Sequence, residues 1–147
     1  MSYPTPSPQS LNVRDASMAK ENALPAAAST TVNGTAMDLG PLTGISSRSE
    51  NVEALLSAPA LTTTILPDTR TMTYSLEACA DSAFGSGVVT LAGSCIVQTG
   101  AGAAGAAAAT FRAKIPGNCP RYLRAKAVSG ASTTDASAVK MKLELLF

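Results

Sequence analysis

An all-β fold, built as a sandwich of antiparallel strands, is what this sequence predicts, and three observations carry the prediction. Four segments alternate apolar and polar residues with a period of two, as strands with one wet face do. Turn-forming clusters separate the strand-like runs, among them Asp81-Ser82, Gly85-Ser86-Gly87, Pro116-Gly117-Asn118 and Ser129-Gly130. No repeating strand–helix–strand pattern is present to supply a parallel sheet.

The elements follow in chain order. The opening SYPTPSPQS has Pro4, Pro6 and Pro8 in strict alternation, and proline locks φ and lacks an N–H, so this stretch reads as extended chain. Residues 14–23 (RDASMAKENA) fit a short helical turn stopped by Pro25. In AAASTTVNGTAMDLG a turn at Asn33-Gly34 separates short strand-like runs. Residues 1–30 are therefore expected to form an extended N-terminal arm, with the compact domain spanning 31–147. An arm of this kind orders by laying itself on a partner, and Tyr3, Pro4, Pro6, Leu11, Val13 and Arg14 are its candidate contact residues.

Within the domain, TMTYSLEAC sets Met72, Tyr74, Leu76 and Ala78 against Thr71, Thr73, Ser75 and Glu77. AATFRAKI sets Ala109, Phe111, Ala113 and Ile115 against Thr110, Arg112 and Lys114. RYLRAKAV turns Leu123, Ala125 and Ala127 away from Tyr122, Arg124 and Lys126. VKMKLELLF does the same with Val139, Met141, Leu143, Leu145 and Phe147 against Lys140, Lys142 and Glu144. Shorter strand candidates are 35–39, 60–66 and 94–99, while 49–58 fits either a helical turn or a bent strand. Seven or eight strands with such breaks point to a β-sandwich of jelly-roll type.

Composition narrows the chemistry. The 147 residues amount to one domain, long enough to bury a core. Aromatics are only 4% and Trp is absent, so the core is expected to consist of Ala, Val, Leu, Ile and Met. There is no His, which removes the commonest general base and metal ligand and argues against most hydrolases and metalloenzymes. No Ser lies in a G-x-S-x-G elbow and the acids are scattered, so no catalytic residues and no enzymatic activity are expected. Cys79, Cys95 and Cys119 have neither a zinc spacing nor an even count, and read as reduced thiols of a protein made in a cytoplasm. The N-terminus lacks the apolar stretch of a secretory signal and no run reaches about 18 apolar residues, so no membrane partner is expected.

The charges are uneven. Residues 1–111 hold four bases and eight acids, a balance of −4, whereas residues 112–147 hold seven bases and two acids, a balance of +5. That asymmetry suggests two electrostatic faces, suited to docking on a partner or a second copy. The basic set could contact phosphates, but only Tyr122 interleaves it as a stacking aromatic, so nucleic acid is not an expected partner.

The hexapeptide GAGAAG, residues 100–105, fits the G-x-G-x-x-G spacing that cradles a dinucleotide pyrophosphate. Such a site needs a following helix and an acid about twenty residues on. Here the chain alternates through ATFRAKI to Pro116, and Arg121, Arg124 and Lys126 occupy the window where the acid belongs. The stretch reads instead as a flexible, small-residue loop joining two strands, packed against a neighbouring chain, and no cofactor is expected.

From FRAKIPGNCPRYLRAKAV onward the chain resembles the small capsid decoration (cement) proteins of tailed phages, in particular the Bordetella-phage type. In that family an Ala/Gly/Thr-rich sandwich carries an x-Pro pair, then two to four residues, then Arg-Tyr-Leu-Arg. The matching residues are Ile115, Pro116, Arg121, Tyr122, Leu123 and Arg124, with Met37-Asp38-Leu39-Gly40 resembling the family's first strand and Leu-Gly turn. The resemblance covers residues 29–147, and the Pro-containing arm departs from the family's shorter N-termini. It implies a jelly-roll homotrimer on the outer surface of the virion, bridging subunits of the major capsid protein. On that reading Arg121, Tyr122, Arg124 and Lys126 form a trimer or capsid interface. Two other readings stand beside it: a carbohydrate- or receptor-binding sandwich of a phage fibre, disfavoured by the scarcity of aromatics, and a tail or baseplate subunit.

Overall fold

The computed structural model describes residues 14–40 and 52–146, with side chains from Met18 onward in the first stretch. Nine strands build two antiparallel sheets, and no helix occurs among the described residues. They are β1 (Arg14–Ala23), β2 (Thr31–Asn33), β3 (Met37–Asp38), β4 (Glu53–Ala58), β5 (Thr71–Cys79), β6 (Val89–Thr99), β7 (Ala109–Lys114), β8 (Tyr122–Ser129) and β9 (Lys140–Leu146). One sheet runs β1-β9-β4-β7 and the other β2-β8-β5-β6, with β3 also paired to β8.

The pairing is nested. The β5–β6 hairpin lies innermost in sequence, β4 pairs with β7 around it, β2 and β3 pair with β8, and β1 pairs with β9. The chain thus doubles back on itself as one long ribbon whose successive strand pairs fall alternately in the two sheets.

The alternations place the core as the sequence predicts. Met72, Tyr74, Leu76 and Ala78 of β5, Leu123, Ala125 and Ala127 of β8, and Met141, Leu143 and Leu145 of β9 are all buried. On β7, Ala109, Phe111 and Ala113 are half-buried against exposed Thr110, Arg112 and Lys114, as befits an edge strand. Phe147 lies outside the described residues. Valine is the exception. No described valine is buried, and Val88, Val89 and Val97 are exposed instead.

Three expectations change. Residues 14–23 form a strand of the sandwich and not a helical turn, because antiparallel pairing of β1 with β9 and burial of Leu24 outweigh a weak local helical preference. The sheet accordingly begins ahead of Thr31. Residues 60–66 form a turn, with Ile65 and Leu66 amides donating to the Thr62 carbonyl, and only Leu61 bridges to Ala106. Of the ambiguous 49–58 stretch, residues 49–51 lie outside the described residues and Glu53–Ala58 form β4, whose Ala54, Leu56 and Ala58 face the core.

Candidate interaction surface

The basic residues of β8 occupy the outer face of the five-stranded sheet. Register fixes their company: Arg124 sits opposite Glu77 of β5, Lys126 opposite Ser75, and Tyr122 opposite both Cys79 and Asp38. The Arg124 Nε and Nη2 donate to Glu77 Oε2 at 3.0 and 2.7 Å, and the Lys126 ammonium donates to Oε1 at 2.9 Å. The β5–β6 connection folds over this face and lays the Phe84 ring against the Arg124 guanidinium, 4.1 Å from the ring centre. Beneath that cover Glu77 is buried. Burial alone would raise its carboxyl pKa, but the hydrogen bonds and charges of Lys126 and Arg124 outweigh it and hold the group below its ordinary value.

Arg121 makes a two-pronged pair with Asp38 of β3, at 2.8 and 2.7 Å, and lies over its neighbour Tyr122. The same carboxylate raises the Arg121 pKa further. Tyr122, Arg124 and Lys126 share the outer face of β8, with Arg121 just ahead of it, but the three bases are partnered by acids of the same chain. Arg124 and Lys126 hold down a loop and a buried carboxylate. Arg121, exposed with Asp38, remains open to an outside contact. Among the arm residues, Tyr3, Pro4, Pro6, Leu11 and Val13 lie outside the described residues, and Arg14 pairs through its backbone with Leu146.

The opposite charge excesses of the two segments meet in ion pairs. Arg112–Glu53, Arg121–Asp38, Arg124–Glu77, Lys126–Glu77 and Lys140–Glu21 each join a base of residues 112–147 to an acid of residues 1–111. Nested pairing is the cause, since it sets late strands beside early ones and lets the opposite excesses neutralise one another across the ladders.

The GAGAAG loop is strapped to its own chain. Leu61 and Ala106 exchange backbone hydrogen bonds at 2.8 Å in both directions. Thr69 N donates to Gly100 O and Gly100 N to Arg70 O, both at 2.9 Å, and Asp68 Oδ1 accepts from Ala103 N at 2.9 Å. Below it Gln98 donates to the carbonyls of Pro59 and Ala107 at 2.7 Å each, while the buried Tyr74 hydroxyl donates to its Oε1 at 2.8 Å. Residues 59–70 and 100–108 are two of the crossings between the sheets, and they run side by side. A Cβ at Gly100 would meet the Leu66 and Pro67 carbonyl oxygens, and one at Gly105 the Leu61 carbonyl, so side chains are excluded by close backbone approach. The expected flexible loop is instead a fastened one, and it leads into β7.

One surface escaped the sequence reading. Val97, Val89 and Val88 are 53%, 47% and 39% exposed on and beside β6, the edge strand of the five-stranded sheet. The available signal was a run without charge: residues 82–111 hold no Asp, Glu, Lys or Arg.

No protein-family model matches the chain, and no curated protein matches it significantly.

Proposed function

We propose that this protein is a structural component of a phage virion, decorating the outside of an icosahedral capsid as a trimer that bridges major capsid subunits. The observation that carries the proposal is the nested strand order. A two-sheet antiparallel sandwich of order β1-β9-β4-β7 and β2-β8-β5-β6 supports the jelly-roll reading that the resemblance implies. The resembling segments also meet in space, since Met37 and Asp38 pair directly with Leu123 and Tyr122. Fold alone assigns no function, so the resemblance and the geometry act jointly here.

Cementing by such a molecule is multivalent binding. Three attachment points on one trimer raise the effective concentration of each, so individually weak contacts hold a shell together. The fibre-module reading draws less support: Tyr74 and Phe84 are buried and Phe111 and Tyr122 half-buried, leaving few rings for a sugar.

Cryo-EM of the particle that carries this chain tests the proposal. The expected result is density for the sandwich outside the shell, clustered in threes. Density confined to a tail, or a shell without the sandwich, overturns it.

A further inference from the structure

The strand edges of this sandwich are treated unequally. The β1 edge carries Lys20 and Glu21, and the β7 edge carries Arg112 and Lys114. The edge of the five-stranded sheet on the β2 side is short, with β2 spanning three residues and β3 two. Charge and shortness are the usual devices that keep a sheet edge from pairing or packing with another chain. The β6 edge has neither. It is 11 residues long, pairs only with β5 among the described strands, and presents exposed Val89 and Val97 with no charge anywhere along it.

The chain on either side of β6 extends the same character, with Asp81 and Asp68 held against its two ends. Charged residues make up 14% of the chain, so the 30 residues from Ser82 to Phe111 would ordinarily hold about four, and they hold none. This run comprises the tip of the β5–β6 connection, all of β6 and the whole crossing to β7. Beside Val97 on the same face, the paired Thr73 and then Val128 continue the uncharged row across the sheet.

We infer that the β6 edge, centred on Val97 and Val89, is the surface through which this chain associates with further copies of itself. The occupant follows from charge. Where identical chains meet around a symmetry axis, a residue near that axis faces its own copies, and any charge there would face like charge. An unrelated acidic or basic partner would select complementary charges, whereas a wall with none suits its own copy. Burying the exposed valines supplies the driving force. The contact is side-chain packing and not extension of the ladder. Register shifts at Tyr74/Leu76 and Leu76/Glu77, with Ser94 at φ 47°, bulge and twist β6 so that its outer edge cannot continue a flat sheet.

This inference rests on the trimer reading for its symmetry and assigns the contact between copies to β6 in place of Arg121, Tyr122, Arg124 and Lys126. Sedimentation equilibrium of the full chain at tens-of-micromolar concentration is the test, on the wild type, Val97→Lys, Thr90→Lys and Thr31→Lys. Thr90 and Thr31 are already exposed, so their lysine variants keep the fold even where Val97→Lys does not, and circular dichroism of each confirms it. Wild type and Thr31→Lys, on the opposite edge of the same sheet, are expected to be trimers. Val97→Lys and Thr90→Lys are expected to associate about tenfold or more weakly. A monomeric wild type, or folded Thr90→Lys that keeps the wild-type mass, overturns the inference. Co-sedimentation with capsids is scored separately. Trimers that dissociate on charging β6 yet ignore capsids uphold this surface and remove the capsid reading; trimers that survive the charge but bind capsids do the reverse.

Discussion

Replacing glycines one at a time within residues 100–105 separates a fastened loop from a free one. The three glycines lie within six residues of one another and have different surroundings in space. Gly102 has φ +60° and open space around its missing Cβ. Alanine there meets only the left-handed backbone penalty, about 1 kcal/mol. Gly105 has φ +77°, and its Cβ would in addition strike the Leu61 carbonyl and the Thr62–Thr63 peptide. Backbone cannot rotate aside as a side chain does, so overpacking of about 1–3 kcal/mol adds to the conformational term, for a total of about 2–4 kcal/mol. Gly100 takes the overpacking part alone, about 1–3 kcal/mol, from the Leu66 and Pro67 carbonyls. For a domain of this size the melting temperature should fall by about 10 °C in Gly105→Ala and by about 3 °C in Gly102→Ala. Thermal unfolding followed by circular dichroism, repeated with urea, reads the order directly. Equal effects at the three positions, or a Gly105→Ala protein as stable as wild type, would refute close backbone approach as the reason for these glycines.

Three further outcomes follow from buried polar groups. Glu77→Gln should cost about 2–3 kcal/mol in urea unfolding at neutral pH, because Arg124 loses its charged partner under Phe84 while the more exposed Lys126 regains water. The Glu77 pKa is lowered by folding, so its contribution is present above the unfolded value near 4.3 and lost as pH falls through the folded value; the stability gap between wild type and variant should close in acid. Tyr74→Phe should cost about 1–3 kcal/mol, since Gln98 Oε1 loses its hydroxyl donor in a site without water access, and a neutral result would show the bond to be unimportant. In thiol titration of the native protein, Cys79 and Cys119 should stay silent and Cys95 react slowly, as burial pushes its pKa up, with three thiols appearing on unfolding; three fast thiols would contradict the packing.

The failures of the sequence reading have a common origin. Each concerned a residue whose role depends on a partner far along the chain. RDASMAKENA becomes a strand because β9, more than a hundred residues later, pairs with it. Glu77 alternates outward as predicted and is nevertheless buried, because Phe84 folds back over the face and two β8 bases close around it. The charge asymmetry also supplies ion pairs between early and late strands that nesting sets side by side.

The amino-acid sequence by itself determined what is local: the inward set of β5, β7, β8 and β9, the turns between strands, and the all-β class, since side-chain direction in a strand has a period of two whatever the partner. Tertiary structure alone decided which strands neighbour one another, which acids meet which bases, and why the glycines of residues 100–105 are there. A G-x-G-x-x-G spacing records the absence of side chains, and only the Leu61–Ala106 crossing shows what occupies the space they leave. The sandwich buries its valine-poor core and leaves Val97 at an uncharged edge, a contrast that pattern alone could not express, because exposure is set by the sheet's limits and not by the strand.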